Sequence, residues 1–206
     1  MSVLDRFLRY VVVDTRADES SPACPSTPGQ IALQQLLASE LREMGVSDVT
    51  VDEHGYLMAT IPATVDAEVP VIGFIAHVDT SPEMDGRNVR PIVHRAWDGR
   101  DIVLPDDPSA VLSAARDRAL ASCVGHDIVT ASGTTLLGAD DKAGVAIIME
   151  AAARWTARPE LRHGTVRIAF TPDEEIGRGA DRFDVARFGA SCAYTLDGGA
   201  DRKSVV

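Results

Sequence analysis

Cysteine is scarce in this 206-residue chain, and its three cysteines, Cys24, Cys123 and Cys192, form no CxxC pair. An odd and widely spaced set argues against a disulfide framework and fits a reducing compartment. We expect each cysteine to be a small buried apolar residue. Aromatic residues are also few, at 5% of the chain, yet 45% of residues are hydrophobic, which is enough for one domain with its own core.

Long apolar runs and an excess of basic residues are lacking too. The longest apolar runs, near residues 69–76 and 143–149, fall far short of the ~20 residues that a membrane span needs. The first residues include Asp5, Arg6 and Arg9 and no long apolar core, so they are not expected to form a signal peptide. The formal net charge of −11 disfavours nucleic acid and anionic membranes as partners. We therefore expect a soluble, cytoplasmic protein.

Hydrophobic periodicity predicts helices that alternate with strands. The second helix has the clearest ends, because Ser26 or Thr27 can cap it, Pro28 lies in its first turn and Gly45 ends it. The predicted helices cover residues 3–13, 28–45 and 142–155, and the predicted strands cover residues 49–51, 56–61, 69–76, 165–170 and 192–196. The long stretch 79–133 is rich in Asp, Pro and Gly and predicts irregular structure.

This order of elements predicts an α/β fold, with a mixed, mostly parallel sheet and helices on both faces. The run at residues 69–76 is apolar on both faces, which is typical of a strand covered on both sides. No internal repeat is visible.

Acidic residues and one histidine follow the predicted strands or begin a predicted helix. They lie in four segments, His77-Val78-Asp79-Thr80, Gly138-Ala139-Asp140-Asp141-Lys142, Asp173-Glu174-Glu175 and Asp197-Gly198-Gly199. In open α/β sheets, ligands gather at the carboxyl ends of strands, so this placement indicates one shared site. Taken singly, each segment has an ordinary structural interpretation as a turn, a helix cap or a solvated acidic pair.

Imidazole nitrogen and carboxylate oxygen are ligands that zinc accepts, in open sites that leave room for water. A two-metal hydrolase needs a carboxylate between ions roughly 3.5–4 Å apart, further ligands on each side and a base that is not a ligand. On an extended segment His77 and Asp79 point the same way, so Asp79 can orient His77 from behind.

Together, the segments HVDTSP, LLGADDKAG, TPDEEIG and YTLDGG resemble a metallopeptidase family. That family includes carboxypeptidase G, acetylornithine deacetylase and succinyl-diaminopimelate desuccinylase. The residues of the four segments are most similar to those of its tripeptide aminopeptidases. The resemblance covers nearly the whole chain, to about Gly199. It implies a zinc-exopeptidase-like catalytic domain that binds two Zn²⁺ ions and releases the N-terminal residue of a small peptide.

The resemblance also implies a role for each site residue. His77 and Asp197 would bind the first zinc, Asp140 would bridge the two ions, and Glu175 would bind the second. Glu174 would be the general base that takes a proton from the attacking water, and Asp79 would hold the tautomer of His77. The peptide bond between Asp140 and Asp141 is expected to be cis. The remaining histidines match no metal motif and are expected to be surface or structural residues: His54, His94, His126 and His163.

Members of the family are about twice as long as this chain. Residues 1–199 correspond to the N-terminal part of the catalytic domain, and residues 200–206, ADRKSVV, form a tail that does not match. We expect the catalytic domain to be incomplete at its C-terminus and the lid or dimerisation domain to be absent, together with a histidine ligand of the second zinc. A truncated reading frame is favoured over a natural short paralogue, and the family's homodimer is doubtful.

Two alternatives to the aminopeptidase remain open. The first is a deacylase of N-acyl amino acids from the same family, because the residues that set specificity lie mostly outside this chain. The second is a non-catalytic remnant that binds zinc, because a missing ligand would leave the second ion weakly held and activity weak or lost.

Overall fold

The fold is known from a computed structural model, which describes residues 1–197. Its main element is a five-stranded sheet with the strand order β1-β2-β8-β3-β9. These strands are β1 (Asp48–Val51), β2 (Leu57–Ile61), β3 (Ile72–His77), β8 (Val166–Thr171) and β9 (Cys192–Thr195). The helices are α1 (Val3–Val11), α2 (Pro28–Glu43), α3 (Arg118–Ala121), α4 (Ala139–Ala157) and α5 (Val185–Phe188).

The predicted mixed sheet is confirmed, and its parallel pairings all lie on one side. Strand β3 runs parallel to both β8 and β9, whereas β1–β2 and β2–β8 are antiparallel. In the parallel register His77 is paired with Thr171, and Ile75 with Thr195. Strands β3, β8 and β9 therefore end at the same edge of the sheet, and the segments that follow them meet there.

Helices cover the two faces of the sheet unequally. Helices α1, α2 and α4 pack on one face, against alternate strand residues such as Ile168 and Phe170 of β8. On the other face, Ala169 packs with Met58 and with Phe188 of the short helix α5. The alternation follows from the period of two in a strand, which sends Ala169 to the opposite side from its neighbours.

The stretch 79–133 is more ordered than its sequence predicts. It contains two small antiparallel pairs and the one-turn helix α3. The pairs join β4 (Ile92–His94) to β7 (Ile128–Thr130), and β5 (Ile102–Leu104) to β6 (Asp107–Leu112). Three of these strands have only three residues, which is too short for a period of two to stand out from the surrounding turns.

The ends of α2 confirm one sequence prediction and correct another. Gly45 ends the helix with φ of 87°, a left-handed conformation that favours glycine. Thr27 occupies the N-cap position, but no side-chain hydrogen bond caps the helix. The Thr27 hydroxyl instead donates to the carbonyl of Arg16, and the Ser26 hydroxyl donates to Asp173.

The three cysteines are free, as the sequence predicts. The expectation that all of them are buried was wrong, because Cys24 and Cys123 are partly exposed and Cys192 is exposed at the start of β9. None of the helices in residues 1–197 combines the length and the apolarity needed to cross a membrane.

A buried ion pair ties the helical layer together. The guanidinium of Arg6 in α1 donates to Glu40 in α2 at 2.9 Å, and the hydroxyl of Tyr10 donates to the same carboxylate oxygen at 2.6 Å. Arg6 also contacts Glu150 of α4 at 3.4 Å, so three helices share the network. Both Arg6 and Glu40 are 5% exposed. Removing Glu40 would leave the buried guanidinium of Arg6 with only its longer contact to Glu150.

We predict that Glu40→Ala destabilises the fold by about 3–5 kcal/mol, the cost of breaking a buried ion pair from one side. Urea unfolding measures the change in the free energy of unfolding. Glu43→Ala, an exposed carboxylate of the same helix, is the matched control and should change stability by less than about 0.5 kcal/mol. Equal effects of the two substitutions would contradict this role of the network.

Candidate metal centre

The structure brings the six predicted site residues together at the shared edge of β3, β8 and β9. His77 is the last residue of β3, and Asp79 follows it by two positions. Asp140 lies at the start of α4, and Asp197 follows β9. Glu174 and Glu175 form a 3₁₀ turn, Glu174–Ile176, just after β8.

The Nε2 atom of His77 is the centre of the carboxylate cluster. It lies 3.0 Å from Asp140 Oδ1, 3.8 Å from Asp197 Oδ1 and 3.9 Å from Glu174 Oε2. Two sets of three residues place a possible metal-ligating atom from each member within 4.8 Å of the others, namely His77 with Asp140 and Glu175, and His77 with Asp141 and Asp197. One imidazole nitrogen among several carboxylate oxygens is a donor set that suits zinc.

Asp79 holds the His77 ring from the side that faces away from the cluster. The Nδ1 atom of His77 lies 3.1 Å from the carbonyl oxygen of Asp79 and 3.3 Å from its carboxylate. A hydrogen on Nδ1 would satisfy both oxygens and leave the Nε2 lone pair facing the acids, which is the arrangement of a metal-bound histidine.

Asp79 also holds the turn that carries the two glutamates, a contact that the sequence did not predict. Its Oδ1 accepts a hydrogen bond from the backbone N–H of Glu174, and its Oδ2 accepts one from the N–H of Glu175, both at 3.0 Å. Asp79 is fully buried. One carboxylate therefore fixes both the histidine and the backbone of the glutamates.

The charges of the cluster point to a cation. Burial alone would lower the pKa of His77, but the hydrogen bond with Asp79 and the negative charges of Asp79, Asp141 and Glu174 raise it to about 10. Burial raises the pKa of Glu174, and the charges of Asp197, Asp79 and Asp140 raise it further, against an opposite effect of His77. The residues thus gather negative charge around one nitrogen, and a bound cation would offset it.

Asp141 is a member of the cluster that the sequence did not single out as a site residue. It is 2% exposed, and its Oδ2 accepts from the backbone N–H of His77 at 3.3 Å. Its Oδ1 accepts from the N–H of Gly144, the helix-capping role that was one interpretation of this pair. Burial is the main cause that raises the pKa of Asp141, to about 8.

Asp140 is the better placed metal donor of the two neighbouring aspartates. Its side chain is 54% exposed and faces His77 Nε2, whereas both Asp141 oxygens already accept backbone hydrogen bonds. The peptide bond between them is cis, as the sequence resemblance implies.

Another missed residue is Lys142. It is 2% exposed, and its ammonium group donates to the carbonyl of Val13 at 2.8 Å. Burial lowers the pKa of Lys142 to about 8. The amphipathic pattern of the helix does not predict that Lys142 is buried, because a lysine is expected on the exposed face and Lys142 lies at a core position.

The other histidines lie apart from the cluster. Within the described residues, none of His54, His94, His126 and His163 belongs to a group of metal-ligating side chains. His94 contacts the hydroxyl of Thr130 in the β4–β7 pair. Asp197 is the last described residue, so the predicted turn at Gly198 and Gly199 and the tail 200–206 lie outside the described part of the chain.

The chain is similar in sequence and in structure to known peptidases. Residues 130–198 match the model of peptidase family M20/M25/M40. Over 197 residues, which are 96% of this chain and 48% of the relative, the chain is 55% identical to peptidase T of Listeria monocytogenes serotype 4b. It is 54% identical to peptidase T of Geobacillus sp. strain WCH70, again over 96% of this chain and 48% of the relative.

Solved structures give the same result. An aminopeptidase from Bacillus cereus superposes with a TM-score of 0.66 at 26% identity, covering 95% of this chain and 43% of that one. A tripeptidase from Staphylococcus aureus superposes with a TM-score of 0.68 at 25% identity, over 97% of this chain and 43% of that one. An M20 family metallo-carboxypeptidase from Sulfolobus solfataricus shares the fold, with a TM-score of 0.58 at 14% identity, over 98% of this chain and 39% of that one. The chain spans about half the length of the curated relatives it matches.

We predict that Asp79→Asn weakens zinc binding by roughly 10–100-fold, the usual effect of losing a residue that orients a ligand. An asparagine has one acceptor oxygen, so its NH₂ group would face an N–H of Glu174 or Glu175 or the ring of His77. Competition with a chromophoric chelator measures the affinity. Glu83→Gln, an exposed change nearby, is the control, and equal zinc affinity of the two variants would contradict the role of Asp79.

Proposed function

We propose that this chain is part of a peptidase of family M20/M25/M40, on the basis of its similarity to the N-terminal half of peptidase T, and that its metal centre serves zinc-dependent release of the N-terminal residue from tripeptides. The observation that carries this proposal is the convergence of His77, Asp140, Glu174, Glu175 and Asp197 at one edge of the sheet. The cytoplasm and a free small peptide are the setting and substrate that we propose.

In this proposal His77 and Asp197 would hold one zinc, Glu175 would hold the other, and Asp140 would be a ligand shared by both. The Asp140 side chain is 54% exposed while its Oδ1 lies 3.0 Å from His77 Nε2, which supports a role as a metal ligand on the open side of the site. Asp197 is 43% exposed and faces the same nitrogen of His77, which supports its place as a terminal ligand. When bound, the zinc ions would supply an activated water and polarise the peptide carbonyl.

Glu174 is the residue that we propose as general base. Its carboxylate lies 3.9 Å from His77 Nε2, and its side chain is 48% exposed, so it can reach both the cluster and an incoming peptide. Its raised pKa also suits a base, because a carboxylate that holds a proton more strongly accepts one more readily from water. Glu174 would then pass this proton to the amine that leaves when the peptide bond breaks.

The likeness to an aminopeptidase and a tripeptidase of known structure supports peptides as substrates, rather than N-acyl amino acids. Because the chain spans about half of its curated relatives, the activity of those longer proteins is proposed for it and must be measured on the chain itself. Zinc binding without turnover of either substrate class would indicate a non-catalytic role.

We predict that Glu174→Gln lowers the rate of tripeptide hydrolysis by about 10²–10⁴-fold, the usual contribution of a general base. Zinc affinity should stay within a few fold of the original value, because Glu174 is not a ligand in this proposal. Glu175→Gln is the matched comparison and should lose zinc as well as activity.

Hydrolysis of a free tripeptide, compared with an N-acetyl amino acid, is measured with zinc and after removal of zinc by a chelator. Activity that survives in Glu174→Gln, or that persists without metal, would overturn the assignment. Preferential cleavage of the N-acetyl amino acid would replace the aminopeptidase by a deacylase.

A further inference from the structure

The turn that carries Glu174 and Glu175 begins at a buried aspartate with no role in the proposed chemistry. Asp173 is fully buried, and its backbone has a φ of 55°, in the left-handed region that residues other than glycine adopt at a cost. Burying a carboxylate is also costly unless its oxygens are hydrogen-bonded. The hydrogen-bond partners of Asp173 explain why a buried aspartate with this backbone conformation lies at the start of the turn.

Asp173 is held by the beginning of α2. Its Oδ2 accepts from the backbone N–H of Ser26 at 2.7 Å, and its Oδ1 accepts from the hydroxyl of Ser26 and from Nε2 of Gln30 at 2.5 and 2.7 Å. The backbone N–H of Asp173 donates in return to Oε1 of Gln30 at 3.0 Å. Gln30 therefore binds both the side chain and the backbone of Asp173, and Gln30 is itself fully buried.

The far end of the same turn is held by the same part of the chain. The backbone N–H of Arg178 donates to the carbonyl of Asp173, which closes the turn. The guanidinium of Arg178 donates to the carbonyls of Ser21 and Glu19, at 2.8 and 3.3 Å. Residues 19–30 thus support the turn at both of its ends.

The glutamate side chains have little else to fix them. Within the described residues, no side-chain hydrogen bond is formed by the carboxylate of Glu174 or Glu175, and the nearest ionic contact of Glu174 is that at 3.9 Å to His77. Their positions therefore depend on the backbone of the turn. Asp79 holds that backbone from the side of the cluster, and Asp173 holds it from the side of α2.

We propose that Asp173, through Ser26 and Gln30, is a positioning residue that sets the backbone of Glu174 and Glu175 against the metal centre. Asp79 and Asp173 are two buried carboxylates that hold the turn from opposite sides. The role of Asp173 rests on the proposed function, because it positions the base and one zinc ligand of that site.

A matched pair of glutamines in α2 tests this role. Gln30→Met keeps the length of the side chain and removes both hydrogen bonds to Asp173. Gln34→Met, one turn further along, is the control, because Gln34 is equally buried but donates to the carbonyl of Phe170 in β8. Both substitutions remove hydrogen bonds from a buried glutamine, four at Gln30 and one at Gln34, so both should lower the thermal midpoint, and Gln30→Met should lower it more.

Two measurements separate positioning from general stability. Amide hydrogen exchange without added metal should be at least about tenfold faster at residues 173–175 in Gln30→Met, and unchanged there in Gln34→Met. Zinc affinity, measured by chelator competition, should fall by roughly tenfold or more in Gln30→Met only, as expected for the loss of a residue behind a ligand. Ser26→Ala removes one hydrogen bond to Asp173, that from the Ser26 hydroxyl, and should show the same two effects more weakly. It takes the place of Gln30→Met in the test if Gln30→Met does not fold.

Unchanged exchange at residues 173–175 would overturn the inference, and so would faster exchange with zinc affinity intact. Equal loss of zinc affinity in Gln30→Met and Gln34→Met would assign the effect to stability and would also overturn it, while leaving the proposed metal centre in place. Failure of the unsubstituted chain to bind zinc would overturn the proposed function, and the positioning role with it.

Discussion

The buried carboxylate of Asp79 accepts hydrogen bonds from two peptide groups and faces the ring of His77, and the candidate site depends on these contacts. Its partners come from segments that are 95 and 96 residues away in sequence. Without this carboxylate, the glutamates after β8 would lose the two hydrogen bonds that hold their backbone against the histidine at the end of β3. The parallel register of β3 and β8 brings them to the same edge, and Asp79 sets their relative position.

The same arrangement explains why so much negative charge can gather in a folded protein. Asp79, Asp141 and Asp173 are buried, and backbone N–H groups, the amide of Gln30 and the hydroxyl of Ser26 satisfy their oxygens. Asp140, Glu174 and Asp197 are about half exposed and lie around one imidazole nitrogen. The buried carboxylates thus form the structure of the site, and the exposed ones are free to act on a cation or on a substrate. This division separates Asp140 from Asp141, although the two are adjacent in sequence.

The sequence predicted the members of the site better than it predicted their supports. The four segments of the site could be found because each follows a predicted strand or begins a predicted helix, and such positions share one edge of an α/β sheet. The resemblance to the metallopeptidase family then implied His77, Asp140, Glu175 and Asp197 as the ligands. The contact of Asp173 with Gln30 could not be found in this way, because it joins residues 143 positions apart through a glutamine that looks like part of a helix face. The strands within 79–133 were missed because runs of three residues carry too little periodicity.

Strand β8 lies between β2 and β3 in the sheet, although it follows both of them in the chain. Strands β2 and β3 are therefore not paired with each other. They become parts of one sheet only when β8 pairs with both of them. Pairings between such distant segments are slow to form, because the entropy of closing a long loop is lost before the contacts are gained. The pairing of β8 with β3 also carries Glu174 and Glu175 to His77, so this part of the candidate metal centre depends on the same strand pairing. Loss of that pairing would separate the glutamates from the histidine.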